Sequence, residues 1–130
     1  MRDVFNKIYV ISSTATVNGA YDFLPKQYVH TVFDDKLIEE IISQQENYYK
    51  KGHTPKVLII LDDIVGCEGF KEKCPPPILK KLYTCYRHYG ISLIFCSQNI
   101  RTVPLLARQQ AGFWFLFRQL NVSKEILYEE

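Results

Sequence analysis

Asp62 and Asp63 stand side by side at the end of the apolar run Val57-Leu58-Ile59-Ile60-Leu61. Such a run reads as a strand buried on both faces, the kind found in parallel sheets. A carboxylate at the edge of a core is costly unless something compensates its charge. Two of them at one strand tip therefore suggest a cation site or a catalytic site. A second apolar run, Ile91-Ser92-Leu93-Ile94-Phe95-Cys96-Ser97, is followed by Gln98, whose neutral amide both donates and accepts hydrogen bonds. Arg101 and Arg108 lie just beyond. Taken singly these are ordinary features: an acidic helix cap, a loop amide, solvated surface charges. Their order along the chain points instead to phosphate and cation chemistry.

The elements that position them can be read from the same chain. Residues 7–12, rich in Ile, Tyr and Val, predict a first strand. Residues 13–33 are polar and turn-rich, with Asn18-Gly19 and Leu24-Pro25 as breakers. Asp34 or Asp35 can cap a helix that places Leu37, Ile38, Ile41, Ile42, Tyr48 and Tyr49 on one face. Lys50-Lys51-Gly52 suits its C-terminus. After the acidic strand tip, residues 64–77 are irregular, and Pro75, Pro76 and Pro77 introduce a second helix carrying Ile78, Leu79, Leu82, Tyr86 and Tyr89. Gly90 ends it ahead of the strand at residues 91–97. A short helix is expected over residues 104–110, a third apolar run over residues 113–118, and a last helix capped by Ser123. Alternating strands and helices of this kind predict a parallel α/β sheet with right-handed crossovers.

At 130 residues the chain is one domain or a piece of one. A net charge of +2 is too small to diagnose a nucleic-acid or membrane partner. No apolar run is long enough to span a bilayer, and the N-terminus lacks the apolar core of a signal peptide, so an intracellular setting is the default expectation. The cysteines, Cys67, Cys74, Cys85 and Cys96, form no Cys-x-x-Cys pair. Zinc on Cys67 and Cys74 with His53 or His88 would need poor spacings, so free thiols are expected, with Cys85 and Cys96 packed as small apolar groups. The tyrosines at 48, 49, 83, 86 and 89 read as core or helix-face residues rather than base-stacking platforms. Lys71, Lys73, Lys80 and Lys81 read as a solvated helix end.

The ordered features are similar to those of the poxvirus-type DNA packaging ATPases, in the FtsK/HerA branch of P-loop ATPases of large DNA viruses. Residues 57–63 resemble their Walker B strand. The stretch from Arg87-His88-Tyr89-Gly90 through Ser97-Gln98-Asn99-Ile100-Arg101-Thr102-Val103-Pro104 resembles their sensor-strand region (sensor strand 91–98). Ile8-Tyr9-Val10-Ile11-Ser12 with Tyr21-Asp22-Phe23-Leu24-Pro25 resembles the strand after their P-loop helix. The resemblance implies an α/β, partial RecA-like (ASCE) P-loop NTPase fold over residues 1–130, with a mostly parallel sheet flanked by helices. It implies that Asp62 coordinates Mg²⁺ and that Asp63 orients or deprotonates the lytic water of ATP hydrolysis. Asp63 is one methylene shorter than the Glu common in the branch. Gln98 would be the sensor on the γ-phosphate. Arg101 or Arg108 would reach the neighbouring subunit's phosphate, with Arg118 a weaker candidate. It also implies ATP-driven translocation of double-stranded DNA into a capsid by a homo-oligomeric ring that meets capsid or portal components, in the host-cell cytoplasm (viral factory) or virion.

No glycine here is followed by Lys-Ser or Lys-Thr, so the phosphate-cradling P-loop is not among these residues. A further β-strand, loop and helix, about 30–50 residues, would supply it. The expectation is a fragment lacking the first strand and P-loop. The strand of the missing unit would lie between the sensor strand and residues 113–117, which would otherwise pair directly or stay poorly placed. The alternative is a non-catalytic ring or DNA-binding subunit derived from such an ATPase. A receiver domain also places two acids at a strand tip. It requires a further Asp and a Lys ending other strands, whereas the later strands here end in Ser97-Gln98 and Arg118.

Overall fold

The apolar runs become strands of one parallel sheet. The computed structural model describes residues 4–17, 19–64, 67 and 77–117. Strand β1 spans Lys7–Ser12, β2 Val29–His30, β3 Val57–Asp62 and β4 Ile91–Cys96. The order is β2-β1-β3-β4 and every pairing is parallel, so all four C-terminal ends lie at one edge. Register aligns Ser12 with Asp62 and Asp62 with Cys96, which puts three strand tips in one row. In open α/β sheets, ligands bind outside this edge.

Helix α1, Asp35–Lys50, starts where Asp34 accepts a hydrogen bond from the Lys36 N–H at 2.9 Å. Its closing turn leads into Gly52 at φ +72°, a left-handed conformation glycine adopts without strain. It buries Ile38, Ile41, Ile42 and, unexpectedly for a polar residue, Gln45. Tyr48 and Tyr49, expected on the buried face, are exposed near the helix end. Helix α2, Pro77–Cys85, buries Leu79, Leu82 and Tyr83. Both helices join one core with Tyr9, Ile11, Val57, Ile59 and Leu61, the alternate side chains of β1 and β3. Buried Gln45 donates from Nε2 to the carbonyls of Pro55 and Tyr89, each at 2.7 Å. One helix side chain thereby ties down the segments entering β3 and β4.

Other parts of the fold also differ from expectation. The turn-rich segment 13–33 contains a 3₁₀ turn, Lys26–Tyr28, that leads into β2. In β4 only Ile91 is buried, Ile94 is 41% exposed and Cys96 is exposed, so β4, the outermost strand among the described residues, is not buried on both faces. The short helix near the end is present as α3, Leu105–Gln110. Residues 113–117 form no strand and do not pair with β4; they line a groove of about 920 Å³ along it. Arg118 and the helix expected after Ser123 lie outside the described residues.

Candidate functional site

The sheet edge carries a cleft of about 490 Å³ lined by Thr14, Val17, Asp62, Asp63, Cys96, Ser97 and Gln98. Consecutive residues on a straight strand point to opposite faces. Asp63 escapes this by turning to φ +48°, the only positive φ among the described residues outside glycine. Aspartate tolerates this conformation better than most residues, though at some cost. Its N–H donates to the Cys96 carbonyl at 3.0 Å, and its carbonyl accepts from Ser13 Oγ at 3.5 Å. The chain thus bends off β3 with both carboxylates at the same cleft.

Each carboxylate has its own partners. Asp62 Oδ2 accepts from Tyr21 Oη at 2.8 Å and from Ser12 Oγ at 3.1 Å. Asp63 Oδ2 accepts from Gln98 Nε2 at 3.0 Å. Burial, then the hydrogen bond to Asp62 and its charge, push the Tyr21 hydroxyl's pKa well up, so it remains a proton donor. The Cys96 thiol is raised by burial and then by Asp62, and the Cys67 thiol by burial and then chiefly by Asp63. Cys96 is therefore a cleft residue, not the packed apolar group expected.

The structure brings Asp62, Asp63 and Gln98 together. It leaves both candidate arginines that are described, Arg101 and Arg108, outside this cleft. Arg101 is exposed in the 3₁₀ turn Ile100–Thr102, and Arg108 is half-buried in the groove along β4. Ser12 and Tyr21 are site residues that the sequence did not single out. Ser12 looks like the last residue of a core strand, and Tyr21 contacts a residue 41 positions away, which no local pattern records. The donor set suits magnesium, which binds through one or two carboxylates and completes its shell with water and phosphate oxygens. Among the described residues no group of three or more His, Cys, Asp and Glu could cage a metal. Cys74, part of the zinc alternative, lies outside those residues.

A family model described as the poxvirus A32 protein matches residues 1–127. The chain belongs to this family. The A32-family chain is 27% identical over 116 residues to the uncharacterized protein 075L of Invertebrate iridescent virus 6, covering 86% of the chain and 43% of that protein. It is 26% identical over 133 residues to the uncharacterized protein 088R of Invertebrate iridescent virus 3, covering 96% of the chain and 50% of that protein. The chain therefore spans about half the length of the curated relatives it matches. Its fold is similar to that of the genome packaging NTPase B204 from Sulfolobus turreted icosahedral virus 2, solved in complex with ATP-gammaS. The TM-score is 0.61 at 18% identity, covering 98% of the chain and 67% of B204. That likeness shows the fold alone, an α/β parallel sheet with flanking helices.

Proposed function

We propose that this chain carries the Walker B and sensor strands of a viral genome packaging ATPase. The observation that carries the reading is the contact of Gln98 Nε2 with Asp63 Oδ2 across two strand tips, beside Asp62 in the same cleft. In this reading Asp62 holds the Mg²⁺ of bound ATP. Mg²⁺ supplies charge neutralisation on the phosphates. Asp63 accepts a hydrogen bond from the lytic water and orients it. Gln98 fixes Asp63 in one rotamer and has its amide oxygen left to accept from the same water. Phosphoryl transfer leaves the protein mainly positioning and electrostatics to supply, which suits fixed groups on strand tips.

The same reading assigns wider roles. The protein acts in a homo-oligomeric ring, translocates double-stranded DNA by backbone contacts, and meets capsid or portal components. Exposed Arg101 and groove-lining Arg108 are the candidates for contacting a neighbouring subunit's phosphates. The phosphate cradle itself comes from residues other than these.

The test is an NMR titration of the chain with millimolar Mg²⁺·ATPγS. The expected result is shifts centred on Ser12, Asp62, Asp63 and the Gln98 side-chain amide, lost in Asp62→Asn. Shifts that spare Asp62, Asp63 and Gln98, or shifts at these residues that persist in Asp62→Asn, would overturn the assignment.

A further inference from the structure

The two hydrogen bonds on Asp62 converge on a single oxygen. Tyr21 Oη and Ser12 Oγ both donate to Oδ2, at 2.8 and 3.1 Å, while Oδ1 accepts no hydrogen bond among the described residues. A carboxylate oxygen offers two lone-pair directions, so Oδ2 is filled and Oδ1 is left over. An aspartate's terminal torsion is otherwise broad and soft, and pinning one oxygen sets the plane of the other.

Both donors are themselves held. Ser12 is fully buried at the end of β1, and its Oγ accepts from the Thr14 N–H at 3.3 Å. Its single hydroxyl hydrogen points to Asp62, so in the 3.2 Å contact between Ser12 Oγ and Thr14 Oγ1 the threonine donates. Tyr21 sits in a pair of tight turns. The Asp22 N–H donates to the Gly19 carbonyl at 3.2 Å, and the Leu24 N–H donates to the Tyr21 carbonyl at 2.9 Å. Gly19 adopts φ +64°, and a Cβ there would meet Asp22 Oδ2 at 3.0 Å.

We propose that Tyr21 and Ser12 are positioning residues that clamp Asp62 Oδ2, so that Oδ1 alone is presented to the divalent cation. This rests on the reading of Asp62 as the cation's ligand. Outer groups that orient a metal's carboxylate are worth about 10–100-fold in affinity when removed.

The experiment measures Mn²⁺ binding to the chain by the EPR signal of free Mn²⁺, with a thermal melt of each variant. Tyr21→Phe and Ser12→Ala should each weaken Mn²⁺ roughly tenfold while keeping a cooperative thermal transition. Ser12→Thr, which keeps a hydroxyl, should bind like the parent, and Asp62→Asn should not bind. Parent-like affinity in Tyr21→Phe, with binding abolished in Asp62→Asn, would overturn the clamp and leave the cation reading standing. Parent-like affinity in Asp62→Asn would overturn both. Affinity lost in Tyr21→Phe together with its thermal transition would also overturn the clamp, because the hydroxyl then serves the fold.

Discussion

At the scale of single residues, the backbone of Asp63 and the function assigned to its side chain pull in opposite directions. A side chain at φ +48° is retained at a cost that glycine would not incur. Asp63→Gly should therefore be more stable than Asp63→Ala by about 1 kcal/mol, measured by urea denaturation, while both lose the carboxylate that Gln98 contacts. Equal stabilities would mean that the bend is not strained. The acidic pair itself was plain in the sequence, because an apolar run ending in two acids is a local pattern. The bend that brings both acids to one cleft was not, since it depends on Cys96 and Ser13, which reach Asp63 from other segments. The same distance hid Ser12 and Tyr21.

At the scale of elements, Gln45 is the joint between α1 and the sheet. Gln45→Leu leaves the carbonyls of Pro55 and Tyr89 without their 2.7 Å donor and should cost about 1–3 kcal/mol in urea denaturation. Gly90 completes that joint. It sits at φ +67°, and an added Cβ would lie 2.7 Å from Thr54 Cγ2, so Gly90→Ala should lose about 2 kcal/mol by the same measurement. Tyr83 makes the opposite case. Its hydroxyl is buried with no hydrogen-bond partner among the described residues, so Tyr83→Phe should match or exceed the parent in melting temperature. Strand β2 carries a pH dependence. Burial lowers the pKa of His30 below its ordinary 6.5, against the opposing pull of Asp34. The unfolded chain then binds a proton that the folded chain refuses, so His30 subtracts stability as pH falls through 6.5 toward the lowered value. The melting temperature should drop between pH 7 and pH 5, less steeply in His30→Gln. Strands β1, β3 and β4 were legible as short apolar runs, and helices α1 and α2 by the helical spacing of their apolar residues. The two-residue β2 offers too few residues to show one, and Gln45 looks like any polar helix residue until its two acceptors are known.

At the scale of the whole molecule, β4 is the outermost strand of the sheet that the described residues form. Among the described residues nothing pairs with the outer edge of β4, and Phe113, Phe115 and Phe117 are 87%, 86% and 85% exposed beside it. Open strand edges next to apolar side chains template further association. Sedimentation should show a mass that grows with protein concentration and falls back toward the monomer in Phe115→Lys. Composition could not have foretold this, because an apolar run of this kind fits a central strand as well as a surface one, and its neighbour decides.

The chain has a single tryptophan, and Trp114 lies in the groove beside β4, 43% exposed, rather than in the acidic cleft. The protein thus carries its own fluorophore in that groove, apart from the acidic cleft. Emission that moves to shorter wavelength reports a polypeptide settling along β4, whereas a cation bound by Asp62 should leave the spectrum unchanged. Occupancy of the groove can then be followed in an unlabelled sample without interference from the cleft.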